Sequence, residues 1–268
     1  MLRVGLVGCG TIGSRVARTV EQRHRARARI AGLHDSNPRQ AQSLQRRLRS
    51  RPPILSLAEL IRRSDLVVEA ASVVVAAEVA RRCLRAHRDV IVMSSGGLLL
   101  DRTWRRAAAR SRGRVFLPSG ALAGLDGVRA MGMGRIREVS LITSKPPRAL
   151  ETAPYVKRRG LTLGRLRRAR VIFRGHAGSV VRAFPQNTNV AATLALASGL
   201  PPRRVRVQVV ADPSLRRNVH ELRVVGDSGS LQCRIESRPS ANPKTSELAV
   251  QSAAAALERL FGQIVIGT

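Results

Sequence analysis

Along the first 120 residues, short apolar runs alternate with stretches whose apolar side chains recur every three or four positions. Strands and amphipathic helices leave that alternation in turn. Arg3–Gly8 (RVGLVG) reads as a buried strand, after which Ile12, Val16 and Val20 fall on one helix face. Arg29–His34 (RIAGLH) forms a second strand closed by Asp35, and Asn37-Pro38 signals the next helix. Asn caps free N–H groups there, and Pro suits a first helical turn. Further strands are expected at Leu66–Glu69, Asp89–Ser94 and Val115–Pro118, with helices over Ser56–Arg63, Val73–His87 and near Asp101–Arg112. This order forces right-handed crossovers and predicts an α/β fold, a Rossmann-type doubly wound parallel sheet.

Beyond Gly120 the pattern changes. Glu138–Thr143, Arg170–Phe173, Val205–Ala211, Val219–Val225 and Leu231–Ser237 alternate polar and apolar residues, as half-buried antiparallel strands do. They predict a second α+β domain with a mainly antiparallel sheet, for substrate binding and dimerisation, over residues 121–243. The first domain takes 1–120, and the last helical pattern, from Lys244 to about Phe261, is expected to pack back on it.

Composition sharpens this picture in three ways. Apolar residues make up 44% and aromatics 2%, so the core is expected to be built of Ala, Val, Leu and Ile. The net charge of +31 invites a nucleic-acid reading. However, the cations are almost all arginine and lie dispersed over predicted helix faces, which is the pattern of a solvated basic surface. Cys9, Cys83 and Cys233 are odd in number and widely spaced, which predicts neither a disulfide framework nor a metal site. With no signal peptide or membrane span in evidence, the expectation is a soluble cytoplasmic protein.

Gly8-Cys9-Gly10-Thr11-Ile12-Gly13 matches GxGxxG between the first strand and helix. In that frame Gly8 permits the turn, Gly10 admits a pyrophosphate and Gly13 lets helix and strand pack. Free N–H groups at Thr11, Ile12 and Gly13 then face the phosphates. Asp35 stands where a carboxylate accepts the adenine ribose hydroxyls, favouring NAD, while Arg39 suits a 2′-phosphate and keeps NADP open. The predicted cofactor is NAD or NADP.

Four segments carry the remaining chemistry: Pro118–Asp126 (PSGALAGLD), Phe184–Thr193 (FPQNTNVAAT), Asn218-Val219-His220-Glu221 and Asn242-Pro243-Lys244-Thr245-Ser246. Histidine suits a base that must deprotonate an amine before hydride leaves the adjacent carbon. Glu221 points to the opposite strand face from His220 and is not expected to orient it. Lys244, one of three lysines in the chain, and Thr245 stand at a predicted helix start and suit a substrate carboxylate. Asn187 and Asn189 precede a helix that needs one cap, which leaves an amide for ligand. Ser119 lies at the carboxyl edge of the first sheet, where ligands of such sheets bind.

Together with Val68-Glu69-Ala70-Ala71-Ser72, these segments resemble the L-aspartate dehydrogenase family, in order and over nearly the whole chain. The resemblance implies oxidative deamination of L-aspartate by NAD(P)⁺ to iminoaspartate, then oxaloacetate and ammonia, with iminoaspartate available to NAD synthesis. It implies His220 as the active-site residue, and cofactor contacts at Ala71, Ser72, Ala121 and Asn189. An enzyme of this kind is expected to hold its site in the interdomain cleft, and exposed strands in the second domain predict a homodimer. Two alternatives stay open: another amino or imino dicarboxylate as substrate, or an NAD-sensing nucleic-acid binder.

Overall fold

A computed structural model describes residues 1–186, 189–242 and 245–264. The chain divides into two compact units, one of Met1–Pro118 with residues 250–264, the other over Ser119–Ala249.

In the first unit, β1 (Leu2–Val7), β2 (Ala28–His34), β3 (Leu66–Glu69), β4 (Asp89–Val92) and β5 (Val115–Phe116) form one sheet in the order β2-β1-β3-β4-β5. Every pair is parallel. Helices α1 (Thr11–Arg23), α2 (Pro38–Arg47), α3 (Leu57–Arg63), α4 (Ala76–Arg85), α5 (Ser95–Leu100) and α6 (Trp104–Ala108) fill the crossovers. Asn37 caps α2 by accepting from the Arg39 N–H, and Ser56 caps α3 by accepting from the Glu59 N–H. Val16, Ala17 and Val20 of α1 are buried in the same cluster as Val4 and Leu6. The chain leaves β1 to one side for β2 and returns on the other for β3, which creates the switch point where such sheets bind ligands.

The second unit holds β6 (Ile136–Lys145), β7 (Arg170–His176), β8 (Val205–Ala211), β9 (Asn218–Gly226) and β10 (Gly229–Ser237), ordered β10-β9-β6-β8-β7. Helices α7 (Leu125–Met131), α8 (Pro154–Arg158), α9 (Ala177–Ala183) and α10 (Asn189–Ser198) accompany it. The last helix, α11 (Glu247–Glu258), begins here and adds Ala253 and Leu257 to the core of the first unit. Burial alternates along β6 and β8, as expected of strands with one covered face. Tyr155, Phe173 and Phe184 stack with centroids 5.3–5.6 Å apart, a local aromatic core in a chain that has few rings.

Several expectations change in detail. The second sheet is mixed, because β8 runs parallel to β6 while its other pairs are antiparallel. The excursion through α9 and α10 carries the chain back across the sheet and allows that direction. The last helix starts at Glu247 rather than Lys244, and the helix expected near Asp101–Arg112 shortens to Trp104–Ala108. Strand β5 stops at Phe116, so Ser119 lies beyond it, in a turn closed by the Leu122 N–H on the Ser119 carbonyl at 3.2 Å.

Candidate active site

The first unit carries a candidate nucleotide site made of main chain. Gly8 takes φ +95°, and a Cβ there would lie 2.6 Å from the Ala70 carbonyl, so a side chain is barred both by conformation and by the loop after β3. A Cβ on Gly13 would lie 2.0 Å from the Gly8 oxygen, so glycine alone lets α1 start against the turn. At Gly10 a Cβ would meet only Gln40 Oε1 at 3.7 Å, which leaves the outer side of the turn open to a ligand. Gly10 is also the N-cap of α1 and contributes no side-chain hydrogen bond. The first-turn N–H groups of Thr11, Ile12 and Gly13 are thus offered with the positive end of the helix. These features fit the diphosphate of a dinucleotide.

Asp35 is tied into the turn. Its Oδ2 accepts from the Cys9 N–H at 2.7 Å, and its Oδ1 accepts from the Asn37 N–H at 2.8 Å. Each oxygen keeps a further lone pair for a ribose hydroxyl. The Cys9 thiol is buried and pushed up to about 12, by desolvation first and then by Asp35, so it packs rather than reacts. Glu69, fully buried at the end of β3, accepts from the N–H groups of Ala71 and Ser72 at 2.9 and 3.1 Å and from Ser94 at 3.1 Å. Burial raises its carboxyl while these donors oppose the shift. Glu69 therefore consumes the amides of Ala71 and Ser72 and holds their loop, leaving their other atoms to meet a ligand.

The second unit carries a separate cluster of side chains gathered by strand register. Thr143 on β6 stands opposite His220 on β9, and Thr143 Oγ1 lies 2.7 Å from His220 Nδ1 in a hydrogen bond. The hydroxyl both donates and accepts, so it fixes the ring in either protonation state and leaves Nε2 for chemistry. Glu221 is exposed on the other face. His220 is 2% exposed, and desolvation first, then the Lys145 charge, lowers it to about 3. Lys145 ends β6 at 3% exposure, and burial lowers it to about 8. Neither Thr143 nor Lys145 was anticipated from the sequence. Lys145 had a signal, since the chain uses arginine almost everywhere else and this lysine closes an alternating strand.

The other expected residues are spread through the second unit. Ala121 is buried beside the Ser119 turn, Asn189 opens α10 half-buried, and Thr245 is half-buried with its N–H on the Asn242 carbonyl at 2.9 Å. Asn187 and Lys244 lie outside the described residues. Among the described residues no group of His, Cys, Asp or Glu could hold a metal ion, and no helix is long and apolar enough to cross a membrane.

A parallel sheet with this glycine turn, carried in one chain with a second sheet bearing a buried, oriented histidine, defines the class as a pyridine-nucleotide-dependent oxidoreductase. The family profile described as "Aspartate dehydrogenase, C-terminal" matches residues 126–260, and "Homoserine dehydrogenase, NAD binding domain" matches residues 8–118. The chain belongs to the L-aspartate dehydrogenase family. It is 40% identical to the L-aspartate dehydrogenase of Methanosarcina acetivorans and 37% to that of Methanocaldococcus jannaschii, each over 100% of both chains. The crystal structure of aspartate dehydrogenase from Thermotoga maritima matches at TM-score 0.72 and 25% identity, over 100% of both chains.

Proposed function

We propose that this protein is an NAD(P)-dependent L-aspartate dehydrogenase in which His220 is the proton-accepting residue. The observation that carries the reading is the buried imidazole held by Thr143 at 2.7 Å. Gly8, Gly10 and Gly13 with the first-turn amides at Thr11 and Ile12 would hold the diphosphate, and Asp35 the adenine ribose. Ala71, Ser72, Ala121 and Asn189 would complete the dinucleotide contacts. The oxidised nicotinamide supplies an acceptor for the hydride leaving the α-carbon of L-aspartate.

The chain's own task is proton management. The substrate ammonium must become a neutral amine before hydride leaves, and His220 Nε2 takes that proton. The resulting iminoaspartate gains water to give oxaloacetate and ammonia, and the imidazole, having released the first proton to solvent, activates that water. Ser119, Asn187, Lys244 and Thr245 are proposed to steady the substrate. The reading includes a cytoplasmic homodimer through the second unit, supported by β10, an edge strand with a largely exposed face. It also includes iminoaspartate as a feed for NAD synthesis.

Aspartate-dependent reduction of NAD⁺ and NADP⁺, run beside oxaloacetate plus ammonium in reverse, tests this directly. No turnover in either direction overturns it. A panel of other amino dicarboxylates separates a neighbouring substrate from aspartate.

A further inference from the structure

We infer that Lys145 and Asn218 form the receptor for a substrate carboxylate beside His220, and so select a dicarboxylic amino acid. The inference rests on the dehydrogenase reading above and names two residues to which that reading gives no role.

Asn218 opens β9 at 1% exposure, yet neither its Nδ2 nor its Oδ1 meets a hydrogen-bond partner. Among the described residues of the second unit, no other buried side chain has polar atoms left unmatched in this way. A buried amide without partners is costly to keep, and it is kept where a ligand completes it. Strand alternation places Asn218 on the same face as His220, two residues along β9. The same alternation puts Lys145 on the face of Thr143, two residues along β6. Thr143 stands opposite His220 and Ser144 opposite Val219, so Lys145 and Asn218 close the same margin of the sheet.

The chemistry at that margin is an ammonium with three donors and an amide with two. Glu221 lies on the exposed face, and Asp212 Oδ1 accepts from the Ser214 N–H and Oγ at 2.9 and 2.7 Å. A carboxylate seated there accepts from both residues and brings the amine-bearing carbon to His220. Lysine suits the position because its compact charge ends on one atom, whereas a guanidinium presents a broad planar fork.

The test uses full-length enzyme loaded with NAD(P)H, with succinate as a non-reacting dicarboxylate. Lys145→Met and Asn218→Leu are each expected to weaken succinate binding and raise KM for aspartate at least tenfold. Nucleotide affinity and the unliganded melting temperature should stay near or above wild type. Loss of wild-type discrimination between aspartate and asparagine in Lys145→Met identifies the side-chain carboxylate as the one received. An equal loss for both substrates would place the α-carboxylate there and overturn the selection of a dicarboxylic amino acid. Unchanged succinate affinity in both variants overturns the proposal. Should wild type bind succinate through Lys145 but fail to oxidise aspartate, the receptor stands and the aspartate reading falls.

Discussion

The two units build their proposed sites from different materials. In the first, the binding groups are main-chain amides, and the side chains that matter are those that are missing: Gly8, Gly10 and Gly13. In the second, the proposed working groups are side chains, Thr143 and Lys145 from β6 with Asn218 and His220 from β9, and the Thr143–His220 pair is brought together across more than seventy residues of chain. A main-chain site needs correct spacing within one turn. A side-chain site needs correct register between strands, and register is set by the whole sheet.

That contrast can be broken at either half. The largest expected effect is at His220: His220→Ala lowers kcat by about a thousandfold, within the range that a general base contributes, and nucleotide affinity measured by fluorescence titration stays the same. Weaker nucleotide binding in that variant would mean that the two halves do not divide the work as described. Gly13→Ala should do the reverse. Its Cβ meets the Gly8 oxygen at 2.0 Å, so the turn must shift. Stability should fall by about 1–3 kcal/mol, as overpacking costs, with nucleotide affinity lost and His220 still bonded to Thr143. Denaturant unfolding and nucleotide titration check both parts.

Acid should single out the second half. His220 binds its proton at about 3 in the folded chain against an ordinary value of 6.5. Because the folded value is the lower, the full stability is present above pH 6.5 and drains away as pH falls toward 3. A His220→Asn variant should lack this component, and the difference in unfolding free energy between the two proteins should reach about 2 kcal/mol by pH 5. The smallest effect is at Thr143. Thr143→Val keeps the shape and removes the hydrogen bond to the ring, worth about 1 kcal/mol, so kcat should drop about fivefold with KM for aspartate little changed.

The same contrast explains what could be read in the sequence. The glycine turn, Asp35 and the order of strands and helices in the first unit were legible because each depends on neighbours within a few residues. In the second unit the strand positions were legible from alternation, but the parallel pairing of β6 with β8 was not, since direction depends on how α9 and α10 return the chain. His220 stood out through its surrounding motif. Thr143 and Asn218 did not, because nothing local distinguishes a strand Thr that orients a ring from one that merely packs, or an Asn that starts a strand from one that binds. Lys145 was legible in principle as a lysine in a chain of arginines, and the same argument had been spent on Lys244, which lies outside the described residues.

The shared face of Lys145 and His220 has a consequence for the timing of the reaction. Desolvation first, and then the field of the Lys145 ammonium, hold the imidazole's proton affinity far below neutrality. A carboxylate seated on Lys145, as proposed, cancels much of that field. The imidazole then regains the part of its affinity that the ammonium suppressed, and only while the correct partner is present. The substrate strengthens the base that will deprotonate it, and an amino acid lacking the recognised charge leaves the opposing field in place.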